Sequence, residues 1–431
     1  MAKLSAPRGT QDIFPPASAA WLELETRIHR LAGRFGYAEI RTPIFESTEL
    51  FVRGVGEATD IVEKEMYTFT DKGDRSMTLR PEWTAPVVRA VLQHNLLANG
   101  PLRLYYLGPF FRYERPQAGR YRQANQFGVE CLGYAGAEAD VEVIQLAIEL
   151  LASYGINDVR LNINSMGDEV CRPAYRAALL AHFRPHLAAL CEDSQRRLER
   201  NPLRILDSKA PQDQPFIASA PSFEAMLCAP CRAHYATVLR YLDAMGIAYT
   251  KNPRLARGFD YYTRTVFELI SDALGAQSTV CGGGRYDNLI ASLGGAPTPA
   301  VGFGLGIERF LMIVAAAGLR ADPARRGVQV AALGDVARTY AVGLVAALRR
   351  AYDAPTYIDY RSRKPKAVYD AADRHGARFA MLIGDDEIAA GAVTVRDLAA
   401  REDRALPLDP SGQETARAFV EFATAMERQS A

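Results

Sequence analysis

The sequence predicts an α+β fold for most of the chain and a small α/β domain at its C-terminal end. Three observations carry this prediction. Strand-like runs recur between residues 77 and 133 with one helix and one polar loop among them, helical spacing of Arg, Ala and Leu dominates residues 171–248, and strands alternate with helices after residue 326. We therefore expect a first domain over residues 1–325, with a mostly helical insertion at about 171–248, and a second domain over residues 326–431.

The first elements are defined by the spacing of their apolar residues. Residues 21–35 carry apolar side chains at helical spacing, and Gly36 ends this helix. Residues 37–46 read as a strand that Pro43 interrupts, and such a proline belongs at an edge or a bulge because it cannot donate to the ladder. The elements predicted next are a strand at 77–80, a helix at 81–97, strands at 104–107, 110–114 and 126–133, a helix at 140–154 and a strand at 159–163.

The C-terminal segment begins after a polar linker at residues 321–327. Its pattern predicts strands at 328–332, 356–359 and 379–383 and helices at 336–350 and 365–375. Alternation of this kind is typical of an α/β domain with a largely parallel sheet.

The composition is that of a soluble globular protein of the cytoplasm. Hydrophobic residues make up 48% of the 431 residues and charged residues 23%, and the net charge of +1 excludes a wholly basic nucleic-acid coat. The N-terminus lacks the apolar core of a signal peptide, and the longest apolar run, residues 311–319, is too short to span a membrane. Six cysteines are too few for a disulfide framework, which indicates a reducing compartment.

Three motifs point to a site for a small polar ligand and a phosphate. Residues 257–268 place a cation, a carboxylate and two phenols at the mouth of a Val-Phe strand, an Arg-rich segment at 111–117 precedes them, and a Gly-rich segment at 302–309 follows. Arginines from distant segments suit a triphosphate because guanidinium groups bind phosphate bidentately and stay charged. The Gly-rich segment lacks the spacing of a Rossmann or P-loop motif, so those folds are disfavoured.

These three motifs, in this order, resemble those of the histidyl-tRNA synthetases, a family of class II aminoacyl-tRNA synthetases. The signature at 257–268 is specific to that family, and residues 383–387 and 393–398 resemble its anticodon-binding domain, so the resemblance covers nearly the whole chain. It implies an antiparallel sheet flanked by helices, followed by an anticodon-binding α/β domain. It also implies a homodimer that forms through the N-terminal helix and the strand around Pro43.

The implied activity is a two-step ligation. L-histidine and ATP give histidyl-adenylate and pyrophosphate, and the histidine then passes to the 3'-terminal adenosine of tRNA(His). The resemblance assigns catalysis to Arg112, which would grip the α-phosphate, to Arg257, which would neutralise the substrate carboxylate and then the α-phosphate, and to Arg309, near the adenine and γ-phosphate. Glu114 and Arg120 would join Arg112 and Arg309 in binding ATP, and Mg²⁺ is expected only as the counter-ion of ATP.

The amino-acid pocket must satisfy an imidazole and an α-ammonium group. An imidazole needs an acceptor for its N–H and a partner for its other nitrogen, while the ammonium needs carboxylate or amide oxygens. The resemblance implies Glu82, Thr84 and Gln126 for the ammonium and Glu130 and Tyr262 for the imidazole. The full predicted set for histidine is Glu82, Trp83, Thr84, Gln126, Glu130, Arg257, Tyr261, Tyr262 and Tyr286.

Two residues depart from the family pattern. Trp83 stands where a smaller residue is commoner, so its ring either lines the pocket or points away while its backbone keeps the contact. Ala124 stands where the family carries a phenylalanine that stacks on adenine. We expect weaker ATP affinity from the second departure, unless Arg309 or Tyr121 covers the base.

Contacts with tRNA are predicted in two places. The resemblance implies that Gln117 and Arg120, in the Arg-rich loop, touch the acceptor end. The basic cluster of Arg361, Arg363 and Lys364 begins a helix of the C-terminal domain, where charge and helix geometry suit phosphate contacts. A solubilising basic turn is the alternative for that cluster.

The cysteines leave one metal question open. Cys228 and Cys231 have the spacing of half a zinc site. The matching places elsewhere hold Asp168 beside Cys171 and Ser194 beside Cys191, so four thiolates are not available. We expect packing cysteines and no structural metal.

Two other functions compete with the synthetase. The regulatory subunit of ATP phosphoribosyltransferase is a non-catalytic relative that keeps the fold but loses motif residues and the anticodon-binding domain. This chain keeps Arg112, Arg257, Arg309 and a C-terminal α/β domain. The signature at 257–268 also argues against a synthetase for another amino acid.

Overall fold

The structure is a computed structural model that describes residues 4–56, 59–206, 208–255, 261–271, 279–319, 325–359 and 364–429. It divides into two units, Met1–Leu319 and Arg320–Ala431. The helices of the first unit are α1 (Ala17–Arg34), α2 (Thr48–Val55), α3 (Thr84–Gln93), α4 (Ala137–Ala152), α5 (Arg172–Phe183), α6 (Glu192–Arg200), α7 (Gln214–Ala218), α8 (Ala229–Ala244), α9 (Leu289–Ser292) and α10 (Ile307–Ala316).

The strands of the first unit form two sheets. They are β1 (Ala38–Glu39), β2 (Phe45–Ser47), β3 (Tyr67–Thr70), β4 (Ser76–Leu79), β5 (Leu102–Phe111), β6 (Gln123–Leu132), β7 (Arg160–Ser165), β8 (Tyr249–Lys251), β9 (Thr263–Ile270), β10 (Thr279–Arg285) and β11 (Ala300–Gly306). The large sheet has the order β1-β5-β6-β11-β10-β9-β7-β8, and the small one the order β2-β4-β3. All pairings from β5 to β7 in the large sheet are antiparallel, and only the short edge strands β1 and β8 pair in parallel. The predicted α+β class is confirmed.

One face of the large sheet carries the largest buried hydrophobic cluster, and part of the other face packs through a second cluster against α3 and α9. Helices α1 and α4 pack on the first face, with Ile28 and Ile144 fully buried against Phe127 of β6 and Phe303 of β11. Successive side chains of a strand point to opposite faces. The polar residues and glycines that alternate with these apolar positions therefore face the other side, where the cavity lies.

The predicted strand at residues 37–46 is wrong in its extent. Its two ends belong to different sheets, since β1 pairs with β5 and β2 pairs with β4. Pro43 lies between them outside any strand and has no N–H for a ladder. The guanidinium of Arg80 donates to the carbonyl of Thr42 at 2.9 Å and to that of Pro43 at 3.3 Å, which satisfies the backbone of this crossing segment.

The insertion is mostly helical, as predicted. Helices α5, α6, α7 and α8 lie within it. Their apolar side chains, among them Phe183 and Tyr235, share one buried cluster with the large sheet. The insertion therefore packs as a continuation of the core of the first unit.

The second unit is an α/β domain with a mixed sheet. Its elements are β12 (Val328–Leu333), α11 (Asp335–Ala351), β13 (Thr356–Asp359), α12 (Pro365–His375), β14 (Phe379–Gly384), α13 (Asp385–Ala390), β15 (Ala392–Asp397), β16 (Glu402–Pro407) and α14 (Gln413–Gln429). Strand β12 is parallel to β13 and β14, whereas β15 is antiparallel to β14 and to β16. The sheet is less parallel than predicted because the connections after β14 are too short for a parallel crossover.

Among the residues that the structure describes, no helix combines the length and apolar character needed to cross a bilayer.

Candidate active site

A cavity of about 680 Å³ opens on the polar face of the large sheet. It gathers residues from β6, β10 and β11, from the start of α3 and from the hairpin between β5 and β6. The predicted site residues that line it are Glu82, Thr84, Arg112, Glu114, Arg120, Gln126, Glu130, Tyr261, Tyr262, Tyr286 and Arg309. Segments that are far apart in sequence are thus brought to one cavity.

Two glycines of β11 make room for polar side chains of β6. These are Gly302 and Gly304. In the antiparallel register Gly302 lies opposite Glu130, and Gly304 lies two residues before Gly306, the partner of Gln126. A Cβ atom at Gly302 would lie 2.1 Å from Oε2 of Glu130, and one at Gly304 would lie 1.9 Å from Nε2 of Gln126. The side chains of Glu130 and Gln126 occupy the space that a side chain at position 302 or 304 would need. The cavity therefore requires glycine at both positions.

Glu130 is a buried carboxyl group in this cavity, with 1% of its surface exposed. Oγ1 of Thr84 donates to its Oε1 at 2.8 Å, and the hydroxyl of Tyr286 donates to its Oε2. Burial raises the pKa of Glu130 to about 8, although both hydrogen bonds favour the ionised form. Burial thus favours the neutral carboxyl group, whereas its ionised form, which the bonds from Thr84 and Tyr286 favour, is the one that accepts the N–H of a small ligand.

Glu82 fixes the chain at the start of α3. Its Oε2 accepts the N–H of Thr84 at 2.7 Å and its Oε1 accepts the N–H of Ala85 at 2.8 Å. Burial raises the pKa of Glu82, while these N–H groups favour its charged form. Because the carboxylate satisfies two N–H groups of the helix start, it also sets the position from which Thr84 reaches Glu130.

Four phenols, those of Tyr106, Tyr261, Tyr262 and Tyr286, line the cavity beside the carboxyl groups. The ring of Tyr261 lies 4.9 Å from that of Tyr262 and 5.6 Å from that of Tyr286, measured between centroids. Burial raises the pKa of Tyr106, Tyr261 and Tyr286 well above the ordinary range of a phenol. Their hydroxyl groups therefore stay neutral and can donate hydrogen bonds.

A buried ion pair holds Tyr286 in place. The preceding residue, Arg285, is fully buried and pairs with Asp140 of α4 and with Asp287, the latter at 3.2 Å. Burial opposes the charge of Asp140, but the guanidinium of Arg285 outweighs it and lowers the pKa of Asp140 to about 2. Oδ1 of Asp287 also accepts the N–H of Ala300 at 3.2 Å, which joins this turn to β11.

Trp83 does not lie with the predicted histidine set. Its ring stacks on that of Tyr106, with the two ring centroids 4.7 Å apart. The guanidinium carbon of Arg80 lies 3.3 Å from the centroid of the Trp83 ring. Trp83 is 3% exposed, and it is not among the described residues that line the cavity. The large apolar ring packs behind the cavity, so of the two alternatives the structure favours the ring that points away.

The other end of the cavity is a cluster of cations around one carboxylate. Nη1 of Arg112 lies 3.7 Å from Oε1 of Glu114, and Nη1 of Arg120 lies 3.2 Å from its Oε2. Nε of Arg112 also donates to the carbonyl of Pro81 at 2.8 Å. The arrangement holds two guanidinium groups side by side, as a polyphosphate requires.

Arg309 completes this cluster from the first turn of α10. Its Nε donates to the carbonyl of Gly119 at 3.2 Å and its Nη1 to that of Thr279 at 2.8 Å. Burial lowers its pKa, and the positive charge of Arg120 lowers it further. A half-buried cation beside other cations favours the binding of an anion between them.

The wall near Ala124 is where the sequence departs from the family. Ala124 is 7% exposed, lines the cavity, and lies opposite Phe110 in the pairing of β5 with β6. The neighbouring Asn125 is held by Glu308, whose carboxylate accepts its backbone N–H at 2.9 Å and its side-chain amide at 3.0 Å. Strand β6 is therefore anchored to α10. Ala124 adds only a methyl group to the adjacent cavity wall.

Several predicted residues lie elsewhere. Arg257, Arg361 and Arg363 fall outside the described residues. Gln117 is exposed on the turn of the hairpin, and Lys364 is exposed immediately before α12 in the second unit.

The cavity also contains residues that the sequence analysis did not assign. Tyr106, Glu268 and Glu308 line it, as does Lys209 of the insertion. Glu268 ends the signature at 257–268 and could have been assigned from it. Lys209 lies in an irregular polar segment, and no sequence pattern indicates where it points.

Two comparisons of sequence agree on one family. Residues 9–310 match the family model described as histidyl-tRNA synthetase, and residues 327–412 match that of the anticodon binding domain. The chain is 49% identical to a histidine–tRNA ligase of Moorella thermoacetica over 407 residues, which cover 94% of this chain and 96% of the relative. It is 50% identical to a histidine–tRNA ligase of Geobacillus kaustophilus over 408 residues, or 93% and 95% of the two chains.

A solved structure shows the same architecture. The apo histidyl-tRNA synthetase of S. aureus superposes with a TM-score of 0.80 at 39% identity. The match covers 98% of this chain and the whole of that one, so both units are included.

Proposed function

The chain belongs to the histidyl-tRNA synthetase family, and we propose that the cavity on its large sheet is the site of histidine activation. The protein is a histidine–tRNA ligase, which joins L-histidine to tRNA(His) by way of histidyl-adenylate. One observation carries the assignment of the site. A single cavity holds a buried carboxyl and phenol set at one end and a cluster of guanidinium groups at the other.

The buried end receives histidine. Glu130 accepts the N–H of the imidazole and Tyr262 approaches its other nitrogen, while Glu82, Thr84 and Gln126 receive the α-ammonium group. The burial of Glu130 and its hydrogen bonds to Thr84 and Tyr286 support this assignment, because a preformed acceptor rejects ligands that lack the matching donor.

The half-exposed end receives ATP. Arg112 and Arg120 flank Glu114, and Arg309 faces them from α10, so negative charge that develops on the α-phosphate is stabilised without a proton transfer. Arg257 is proposed from its place in the signature to bridge the histidine carboxylate and the α-phosphate. Mg²⁺ would accompany ATP as its counter-ion, and the carboxylates of Glu114 and Glu268 are the oxygen donors in the cavity that would hold it.

The tRNA contacts extend beyond the cavity. The hairpin turn with Gln117 and Arg120 is proposed for the acceptor end, since it is exposed beside the cavity. Residues 1–325 form the catalytic domain, and residues 326–431 bind the anticodon stem through Arg361, Arg363 and Lys364. The match of residues 327–412 to an anticodon binding domain supports this division.

A homodimer is proposed through α1 and the segment around Pro43. Ile44 and Phe45, next to Pro43, are 45% and 52% exposed, and Leu22 of α1 is 66% exposed, so both predicted parts of the interface present large apolar side chains to solvent. Sedimentation should give a dimer for the wild type and a monomer for Phe45→Asp. A cytoplasmic location is proposed because tRNA is the substrate and none of the six cysteines is in a disulfide.

The regulatory subunit of ATP phosphoribosyltransferase is the competing function. It is disfavoured by the second unit and by the intact cluster of Arg112 and Arg309 in the cavity. The identity of 49–50% to named ligases over almost the whole chain supports the enzyme.

ATP–pyrophosphate exchange tests the proposed site. The purified protein is assayed with each of the twenty amino acids, and exchange should depend on histidine alone. A Glu130→Gln variant should lose the response to histidine at ordinary concentrations, while Glu138→Gln, on the surface of α4, serves as the control. Exchange with another amino acid, or full activity in Glu130→Gln, would contradict the assignment of the histidine end.

A further inference from the structure

Four metal-binding side chains meet in the insertion, away from the active-site cavity. They are Asp168, Cys171, Cys228 and Cys231, and the donor atoms they offer all lie within 4.8 Å of one another. They form two couples of the same spacing, Asp168-x-x-Cys171 and Cys228-x-x-Cys231, which is the spacing of ligands in structural zinc sites. The sequence alone could not bring the couples together, because 56 residues separate Cys171 from Cys228.

The backbone around the four side chains is arranged for ligands. The N–H of Cys228 donates to Sγ of Cys171 at 3.1 Å, and Oδ1 of Asp168 accepts the N–H of Val170 at 3.1 Å and that of Cys171 at 3.3 Å. Such bonds orient the ligands of a metal site and stabilise their negative charge. Both oxygens of Asp168 lie 3.7 Å from Sγ of Cys228, so the carboxylate faces the sulfurs directly.

We propose that these four side chains bind one structural zinc ion. Tetrahedral zinc with bonds of about 2.3 Å to sulfur holds neighbouring sulfurs roughly 3.8 Å apart, which small rotations of these side chains reach from the observed separations. Three thiolates and one carboxylate make a closed four-coordinate set for a soft to borderline cation. Cys171 and Cys231 are buried and Asp168 and Cys228 are half-buried, and four protein ligands would complete a tetrahedral set with no open position for catalysis.

The ion would join three parts of the first unit. Cys171 precedes α5, and Cys228 and Cys231 lie at the start of α8. The turn that carries Asp168 is bonded to the start of β9, since Met166 donates to the carbonyl of Arg264 and Arg264 donates to that of Gly167, both at 2.6 Å. Zinc would therefore fix the insertion to the strand that begins directly after the cavity tyrosines 261 and 262.

A second cluster in the insertion provides the comparison. Asp213 accepts hydrogen bonds from the N–H of Cys191 at 2.8 Å, from its thiol at 3.1 Å and from the hydroxyl of Ser194 at 2.6 Å. Ser208 also donates to this carboxylate. With one thiol and hydroxyl groups already satisfied, this cluster is a hydrogen-bond network, so Cys191→Ser is a matched control for cysteine loss in the same insertion.

Metal content tests the proposal on the full-length protein, produced in zinc-supplemented medium without a metal-binding tag. Elemental analysis after gel filtration should give one zinc per chain in the wild type and in Cys191→Ser, and a large loss in Cys228→Ser. Replacement by Co²⁺ should produce thiolate-to-cobalt charge-transfer bands. These bands should strengthen in Asp168→Cys, which adds a thiolate, and disappear in Cys228→Ser.

The outcomes separate the site from a chance ion. If the wild type contains well below one zinc per chain and shows no cobalt bands, the proposal is wrong and the three cysteines serve only in packing. Equal zinc in wild type and Cys228→Ser would identify the metal as adventitious. If Cys228→Ser fails to fold, Asp168→Cys still decides, because unchanged cobalt bands in that variant would overturn the role of Asp168 as a ligand.

Discussion

The two ends of the cavity differ in how far their polar groups are buried and hydrogen-bonded before substrates bind. At the histidine end Glu82, Glu130 and Tyr286 are 3%, 1% and 2% exposed, and each carboxyl oxygen already has a partner. At the ATP end the side chains of Arg112 and Arg120 are 20% and 41% exposed. A small ligand is thus selected by fixed, desolvated groups, whereas a large polyanion is received by charges that still contact water.

Removal of a cation from the ATP end should have the largest effect on activity. We expect Arg309→Ala to lower the rate of histidine-dependent ATP–pyrophosphate exchange about 10³-fold, because the lost guanidinium stabilises charge that develops in the transition state. The Michaelis constant for histidine should change only a few-fold, since the histidine end keeps its own partners. Arg122→Ala, on the same hairpin but outside the cavity lining, is the control. A loss confined to histidine binding would show that the two ends are not separate.

A change at the buried end should act on the amino acid instead. We expect Glu130→Gln to raise the Michaelis constant for histidine about 10²-fold, because the amide cannot ionise and replaces one of the two acceptor oxygens with a donor. The Michaelis constant for ATP, measured at saturating histidine, should stay within about twofold. Tyr286→Phe keeps the carboxyl group and removes one of its donors, so its effect should be smaller. An equal rise for both substrates would contradict the division of the cavity.

The same carboxyl group should make ligand-free stability depend on pH. Burial raises the pKa of Glu130 from an ordinary value of 4.5 to about 8. Between these values the group ionises in the unfolded chain but stays protonated in the folded protein, so its contribution to stability is complete at low pH and is lost as the pH rises toward 8. Glu130→Gln removes this loss. The variant should therefore become more stable relative to the wild type by about 2 kcal/mol between about pH 6 and about pH 8, which corresponds to a relative rise in melting temperature of about 2–3 °C.

Calorimetry of both proteins at the two pH values measures this difference. The surface variant Glu138→Gln should follow the wild type in parallel. Curves for Glu130→Gln that also run parallel to the wild type would mean that Glu130 is ionised in the folded, ligand-free protein.

The sequence predicted the elements best where their ends carry local signals. Helix α12 was expected at 365–375 and runs over Pro365–His375, because Pro365 favours its first turn and Gly376 adopts φ of +65° directly after it. The strand at 37–46 failed because the choice between two sheets depends on distant partners. Local spacing contains no information about them.

The site shows the same limit. The motifs named Glu130, Tyr286 and Arg309 because their residue types suit the chemistry. Motifs do not say which way a ring packs, and Trp83 turned out to stack behind the cavity. The carboxylate of Asp168 lies beside three cysteines because the turn before α5 meets the start of α8, which no spacing along the chain could indicate.

The smallest expected effect lies on the wall between the two ends, at Ala124. Aromatic stacking on a base contributes about 1 kcal/mol, so Ala124→Phe should lower the Michaelis constant for ATP about fivefold. Its ring would extend the aromatic surface that Phe110 begins on the opposite strand. Ala124→Leu adds bulk without an aromatic face and should lower the constant much less, which separates stacking from simple filling of space. If Ala124→Phe leaves the constant unchanged or raises it, the base is already covered, and Arg309 or Tyr121 takes the role that the family gives to phenylalanine.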